Sequence, residues 1–205
     1  MTKLILLDIF SYSCMNCLRS LDFIKKIDDK YKNFGLKTII IHPPEWEFEK
    51  ESKNIVTNLK QNNIQFPFIP DKDRKLIGEF GINFWPTQLL VSEEQVLYKH
   101  IGEGNYKELE AHIIEILQLK NLVTKKIFTK EPAYSKHPTV YCGTRKKGNV
   151  IHLKNTAKTT FDFGSIYTKE EWSQQQEYLR STGGNQSLTI KTKGEIINFV
   201  AGSLT

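Results

Sequence analysis

Two of the three cysteines in this 205-residue chain lie close together, in the segment Cys14-Met15-Asn16-Cys17. The segment follows an apolar stretch and begins a stretch with helical periodicity. The first turn of a helix has unpaired backbone N–H groups and partial positive charge, which would stabilise a thiolate at Cys14. Cys17 would lie one turn deeper, within disulfide reach. Cys14 could then attack a substrate disulfide, and Cys17 could resolve the mixed disulfide that forms.

A Cys-x-x-Cys pair also occurs in sites of other kinds. It can be half of a zinc site, but the second pair of ligands is missing because Cys142 stands alone. It can form a structural disulfide, or persist as the relic of an inactive fold, and these alternatives stay open. For Cys142 we predict a packing role, with a third redox thiol as the alternative.

Asp8 lies six residues before Cys14, inside an otherwise apolar run. Burial of a carboxyl group raises its pKa, so Asp8 could take the proton from Cys17 as that thiol attacks. The alternative is an exposed aspartate at the end of a strand.

The segment Trp85-Pro86-Thr87 comes directly before a predicted strand. A proline that opens a strand in this way is a candidate cis-proline. In a redox fold this loop would pack against the cysteine pair and offer backbone groups to an extended substrate. An ordinary turn with a trans-proline is the alternative.

The elements that must position these residues can be read from the hydrophobic pattern. Apolar runs predict five strands, and apolar residues at helical spacing predict four helices. The predicted strands are Lys3–Phe10, Leu36–Ile41, Gln65–Ile69, Gln88–Val91 and Val96–Ile101, and the predicted helices are Cys14–Gly35, Lys50–Asn62, Asp73–Phe80 and Tyr106–Leu119. This order predicts an α/β fold with a central mixed sheet flanked by helices.

The pattern changes beyond residue 120, and we predict two domains. Residues 1–120 form the α/β redox domain, and residues 121–138, with Pro132 and Pro138, form a linker. Residues 139–205 form a small all-β domain of the jelly-roll or sandwich kind, truncated or a short variant. Its predicted strands are Val150–Leu153, Thr159–Phe163, Ser187–Lys191 and Ile196–Val200.

Composition limits the classes of function. The hydrophobic share of 39% and the charged share of 25% are typical of a globular protein. The net charge of +6 comes from scattered lysines, which argues against a nucleic-acid partner. No stretch reaches membrane-spanning length, and the apolar run near the start is too short for a signal peptide. We therefore expect a cytoplasmic protein, or an extracytoplasmic one if a leader has been removed.

Several segments together resemble a known family. Asp8, the cysteine pair and Trp85-Pro86-Thr87 resemble the thioredoxin superfamily. More narrowly, four segments are similar to the TlpA-like thioredoxin domain of DipZ-type proteins. They are Tyr12–Arg19, His42–Glu49, Phe84–Pro86 and Gly102–Tyr106. The resemblance covers residues 1 to about 119 and continues weakly into the C-terminal β-domain, from Pro138 through Cys142 to Trp172.

The resemblance implies an enzyme that exchanges dithiols for disulfides and receives electrons from a redox partner. No cofactor is implied, because the cysteines themselves carry the electrons. Protein disulfides would be the substrates, and the residues implied to bind them are Trp85, Pro86, Thr87, Tyr12 and Asn16. The C-terminal domain of the family is sometimes described as carbohydrate-binding-like. The aromatic residues that could form a sugar platform here, or simply a core, are Tyr141, Tyr167 and Trp172.

The chain departs from thioredoxin at one position near the buried acid. Thioredoxin pairs that acid with a lysine on the next strand, and the matching position here is about Ile40. His42 is the nearest substitute, and it could relay a proton or only cap the strand. Glu45 could border the thiol site or be a solvated loop acid.

Protein-disulfide oxidoreductase is thus the leading hypothesis, and two others remain. The first is a non-catalytic binding module on a thioredoxin fold. The second is a Cu(I)-type metallochaperone that uses Cys14, Cys17 and His42. A homodimer through the C-terminal β-domain would cover an open sheet edge in that domain.

Overall fold

A computed structural model describes residues 4–93, 95–119, 127, 139–153, 160–169, 171–184, 186–193 and 199–201. The chain divides into two compact units, residues 1–132 and residues 133–205. Apart from Ile127, the predicted linker at 121–138 lies outside the described residues, as do residues 196–198 of the predicted strand at 196–200. The predicted strand at 159–163 is wrong, because residues 160–162 are irregular and Phe163 forms only an isolated bridge with Lys191.

The first unit is built around a five-stranded mixed sheet, which confirms the predicted α/β fold. Its strands are β1 (Leu4–Ile9), β2 (Leu36–His42), β3 (Phe68–Pro70), β4 (Thr87–Ser92) and β5 (Gln95–Ile101). Their order in the sheet is β3-β2-β1-β4-β5. Strands β1, β2 and β3 are parallel, whereas β4 is antiparallel to both β1 and β5.

Among the described residues, four helices accompany the sheet. They are α1 (Met15–Tyr31), α2 (Ser52–Gln61), α3 (Lys75–Glu79) and α4 (Tyr106–Ile116). Helix α1 continues as a short 3-10 segment, Lys32–Phe34, and ends at Gly35 with φ 102°. That left-handed conformation is open to glycine at no steric cost, which explains why the chain turns into β2 at this residue. A second 3-10 segment, Glu47–Lys50, lies between β2 and α2.

Strand β1 determines which side chains lie beneath α1. Side chains alternate between the two faces of a strand, so Leu4, Leu6 and Asp8 share one face. Leu4 and Leu6 are fully buried in a cluster with Phe23 and Ile24 of α1. Asp8 therefore lies on the same face, near the C-terminal end of β1, just before the segment with the two cysteines.

The second unit contains short strands in two small sheets, in agreement with a β-rich region. They are β6 (Val150–His152), β7 (Ile166–Thr168), β8 (Trp172–Gln174), β9 (Leu179–Ser181) and β10 (Leu188–Ile190). Strand β7 is central in one sheet, between β10 and β6, and β8 pairs with β9 in the other. Strands β6 and β10 lie within the predicted strands Val150–Leu153 and Ser187–Lys191, whereas β7, β8 and β9 were not among the predicted strands.

Within the described part of the chain, no helix has the length and apolar character that crossing a membrane requires.

Candidate active site

Cys14 and Cys17 lie at the N-terminal end of α1. Cys14 is the N-cap residue, with extended backbone angles of φ −80° and ψ 113°. Its Sγ accepts a hydrogen bond from the Cys17 N–H at 3.3 Å, in the place that a serine or aspartate oxygen usually takes. Both thiols are free; Cys14 is half-buried and Cys17 is fully buried. A substrate can therefore reach Cys14 first, with Cys17 behind it.

The pKa of the Cys17 thiol is raised well above its ordinary value. Burial is the largest cause, followed by the hydrogen bond and the charge of Cys14, and the charge of Asp8 adds to them. A hydrogen bond from the backbone of Ser11 acts in the opposite direction. Cys17 therefore keeps its proton in the reduced protein until a base takes it.

Asp8 is fully buried, and its neighbour is Gln88 of β4. Burial raises the pKa of Asp8 from 3.8 to about 6, although a hydrogen bond from Gln88 partly offsets the effect. Gln88 Nε2 donates to Asp8 Oδ1 at 2.9 Å, because the two residues face each other in the β1–β4 register. Asp8 Oδ2 and Gln88 Oε1 have no hydrogen-bond partner among the described residues. Asp8 is thus mostly ionised at pH 7 and able to accept a proton.

The expected position of a thioredoxin-type lysine is also in register with Asp8. It is occupied by Ile40, on the β2 side of β1. The polar neighbour of Asp8 therefore comes from the opposite side of the strand, from Gln88. Sequence reasoning missed Gln88, and the only signal was its place directly after Trp85-Pro86-Thr87.

The Trp85–Pro86 loop borders Cys14. The Trp85–Pro86 peptide bond is cis, and the Trp85 carbonyl oxygen lies 3.8 Å from Cys14 Sγ, where it can accept the thiol hydrogen. Thr87 is buried, and its hydroxyl donates to the Phe84 carbonyl at 2.7 Å. The Phe84 side chain next to this loop is 70% exposed. The Trp85 carbonyl oxygen therefore adjoins the Cys14 sulfur, and the exposed Phe84 ring belongs to the residue just before Trp85.

His42 contacts the chain just before Cys14. Its Nε2 accepts a hydrogen bond from the Tyr12 N–H at 3.2 Å, and the two rings stack with centroids 5.3 Å apart. Burial lowers the pKa of His42 to about 4, so the ring is neutral at pH 7. Nδ1 has no partner in the described part of the structure. His42 thus orients Tyr12, which is itself buried.

Glu45 and Glu49 lie in the segment that follows β2. Glu45 Oε2 accepts a hydrogen bond from the indole N–H of Trp85 at 3.4 Å, which places Glu45 beside the Trp85 side chain. Glu49 is fully buried and accepts hydrogen bonds from Ser11, Ser13, Glu45 and Trp46. Sequence reasoning did not single out Glu49, because its donors lie up to 38 residues away.

Asn16, between the two cysteines, is exposed and accepts a hydrogen bond from Arg19. The Arg19 guanidinium also binds Glu103, at 2.8 Å from Oε2 and 2.9 Å from Oε1. This ion pair connects the loop after β5 to the first turns of α1.

The predicted copper site is not supported by the geometry. Among the residues that the structure describes, no three His, Cys, Asp or Glu side chains are grouped so that they could hold a metal ion. Cys14, Cys17 and His42 belong to the residues covered by that statement. His42 instead accepts from the backbone of Tyr12.

The aromatic residues proposed as a sugar platform in the second unit have different environments. Tyr167 is buried, and its hydroxyl donates to Asp162 Oδ2 at 2.8 Å. Tyr141 and Trp172 are half-buried. Cys142 is also half-buried, and burial raises the pKa of its thiol. Tyr167 therefore belongs to the small core of this unit.

Residues 2–95 match a protein family described as thioredoxin-like. Protein DipZ of Mycobacterium bovis is 30% identical over 117 residues, which are 56% of this chain and 17% of DipZ. The thiol-disulfide oxidoreductase ResA of Bacillus cereus is 30% identical over 115 residues, 56% of this chain and 64% of ResA. This chain therefore spans less than two thirds of each of these two relatives.

A solved structure supports the fold. A putative thiol:disulfide interchange protein DsbE from Chlorobium tepidum superposes with a TM-score of 0.51 at 21% identity. The match covers 57% of this chain and 81% of that one.

Proposed function

We propose that this chain, in which residues 2–95 match a thioredoxin-like family, exchanges electrons with protein disulfides through Cys14 and Cys17. One observation carries the proposal: a half-buried Cys14 caps a helix and accepts the Cys17 N–H at 3.3 Å, while Cys17 is buried behind it. The name of the relative ResA, a thiol-disulfide oxidoreductase, supports the same chemistry. The pair needs no further cofactor in this mechanism.

The reaction begins at Cys14. Its thiolate attacks one sulfur of a substrate disulfide, a mixed disulfide forms, and the other substrate sulfur leaves as a thiolate. The Cys17 N–H and the positive end of α1 stabilise the negative charge on Cys14 before the attack. The Trp85 carbonyl oxygen lies next to Cys14, and an extended substrate would bind to it and to the backbone of cis-Pro86.

Cys17 then resolves the mixed disulfide. Asp8 accepts the Cys17 proton, and the Cys17 thiolate attacks Cys14 Sγ. The bond between Cys14 and the substrate breaks, and the reduced substrate leaves. The protein then contains a Cys14–Cys17 disulfide, because two electrons have passed from the cysteine pair to the substrate. An electron-donating redox partner would return the pair to the dithiol.

A trapping experiment tests this division of roles. In a Cys17→Ser variant, Cys14 can attack but no thiol can resolve, so a mixed disulfide with the substrate should accumulate. The matched Cys14→Ser variant should accumulate none. Equilibration of the unaltered protein in glutathione buffers should give one reversible two-electron couple. Equal trapping by both variants, or no reversible couple, would contradict the proposal.

A further inference from the structure

Glu49 is a buried carboxylate with an unusually complete set of donors. Oε1 accepts from the Ser11 hydroxyl at 2.6 Å and from the Ser13 N–H at 3.2 Å. Oε2 accepts from the backbone N–H groups of Glu45 and Trp46, the latter at 3.1 Å. All four donors are uncharged, and Glu49 has 0% exposure to solvent.

This arrangement suits a side chain that only accepts hydrogen bonds. An ionised carboxylate only accepts, through about four lone-pair positions on its two oxygens. A protonated carboxyl or an amide would turn an O–H or N–H group toward one of the existing donors. Loss of a partner for a buried polar group is costly, so the four hydrogen bonds hold Glu49 and its donors in one conformation.

The donors on Oε1 belong to the segment that leads into Cys14. Ser13 directly precedes Cys14, and the Ser11 carbonyl accepts the Cys14 N–H at 3.1 Å. The backbone of Ser11 also provides the one hydrogen bond that favours the thiolate of Cys17. Glu49 therefore binds Ser11 and Ser13 through one carboxylate oxygen, and the backbone of Ser11 contacts both cysteines.

We propose that Glu49 is a positioning residue of the thiol site, which fixes Ser11 and Ser13 so that Cys17 can attack the mixed disulfide at Cys14. This inference rests on the proposed function. The step it assists is the second one: Cys17 loses its proton, its sulfur bonds to Cys14 Sγ, and the substrate sulfur leaves as a thiolate. Glu49 does not touch the reacting atoms and acts through Ser11 and Ser13.

Dithiobis(nitrobenzoate) separates the two steps. Attack by Cys14 releases one coloured thiolate and leaves a mixed disulfide, and attack by Cys17 releases the second. All proteins should carry Cys142→Ala, because that half-buried thiol would add its own signal. The ratio of the second rate to the first then reports on the step that Glu49 assists.

Glu49→Gln keeps the size of the side chain but turns an N–H group toward two of the donors. We expect the rate ratio to fall about tenfold, the usual scale for losing a hydrogen bond to a charged group. We also expect the upper pH midpoint of the second phase, which is set by ionisation of Cys17 and not by Asp8, to move upward, because Ser11 no longer stabilises the Cys17 thiolate. An effect on folding alone would not move this midpoint.

Glu110→Gln is the matched control. Glu110 is equally buried, and it accepts from Tyr31 at 2.8 Å, Lys30 at 3.0 Å and the Ile127 N–H at 2.9 Å. It has no hydrogen bond to the segment before Cys14, so its variant should keep the rate ratio of the parent. If Glu49→Gln does not fold, Ser11→Ala removes only one donor and should lower the ratio by about threefold.

The outcomes separate the two proposals. Two phases in the parent with an unchanged ratio in Glu49→Gln, or in Ser11→Ala where that variant replaces it, would overturn the role of Glu49 and leave the proposed function standing. A parent that never releases the second thiolate would overturn the proposed function, and the role of Glu49 with it. A lower ratio in Glu110→Gln as well would also overturn the inference, because the effect would then belong to any buried carboxylate.

Discussion

Replacing Asp8 with asparagine should make the reduced protein more stable at neutral pH. Burial raises the pKa of Asp8 from 3.8 to about 6, so the ionised form is disfavoured in the folded state. Asparagine has nearly the same shape and no charge. Its amide can still accept from Gln88 Nε2, and its NH2 group can donate to Gln88 Oε1, which has no partner among the described residues.

The sign and size of the effect follow from proton linkage. Because the pKa of Asp8 is higher in the folded state than in the unfolded state, the folded protein binds this proton more tightly. Ionisation therefore costs no stability below pH 3.8, costs progressively more up to about pH 6, and costs the full amount above it. A difference of about two pKa units corresponds to about 3 kcal/mol in the free energy of unfolding.

Urea denaturation of the reduced proteins measures this free energy. At about pH 8 the Asp8→Asn variant should be more stable than the parent by about 3 kcal/mol, and the difference should shrink toward zero near pH 4. Equal stability at pH 8 would refute the reasoning, because the Asp8 carboxylate would then carry no burial cost.

Asp71→Asn is the control for this substitution. Asp71 is also a buried aspartate, but its two oxygens accept the backbone N–H groups of Leu76 and Ile77 at 3.1 and 3.0 Å. Asparagine has only one acceptor oxygen, so one of these two N–H groups would lose its partner. Asp71→Asn should lower the stability at pH 8 by about 1 kcal/mol instead of raising it.

Further predictions concern the reaction and the two units. The second phase of thiolate release should slow as the pH falls through about 6, because protonated Asp8 cannot accept the Cys17 proton; a rate independent of pH in that range would exclude Asp8 as the base. Phe23→Ala should cost about 3–5 kcal/mol in urea denaturation, since Phe23 is buried against Tyr106 with ring centroids 4.2 Å apart. Gly143→Ala should expose residues 139–193 to proteolysis and leave thiol titration of the cysteine pair unchanged. A Cβ at Gly143 would lie 2.3 Å from the Gln176 carbonyl oxygen, and intact resistance to protease would contradict this contact.

The sequence predicted those parts of the fold that depend on local pattern. The apolar run before Cys14 became β1, and the helical spacing after it became α1, with the stop at Gly35 where φ is 102°. The mixed order of the sheet followed from the order of the elements. The expected cytoplasmic location, the homodimer and the redox partner stay predictions.

The hydrophobic pattern of the sequence did not predict the contacts between residues that lie far apart in the chain. The Asp8–Gln88 hydrogen bond joins residues 80 apart, and the Ser11–Glu49 bond joins residues 38 apart. Glutamine and glutamate are usually exposed, so their residue types alone did not predict that Gln88 and Glu49 are buried. In the second unit, each described strand has only three residues, so the register of its sheets left no periodic signal.

The state of Cys14 also determines when Cys17 reacts in the proposed mechanism. In the reduced protein, the hydrogen bond and the charge of Cys14 both raise the pKa of Cys17, in addition to burial. Formation of the mixed disulfide removes the negative charge of Cys14, and the neutral disulfide sulfur is a much weaker acceptor for the thiol hydrogen of Cys17. Burial and the charge of Asp8 then still oppose ionisation of Cys17. The charge of Asp8 is neutralised when Asp8 takes the Cys17 proton. Cys17 thus becomes easier to deprotonate once Cys14 has bound a substrate, which keeps the two thiols from ionising together and orders the two attacks.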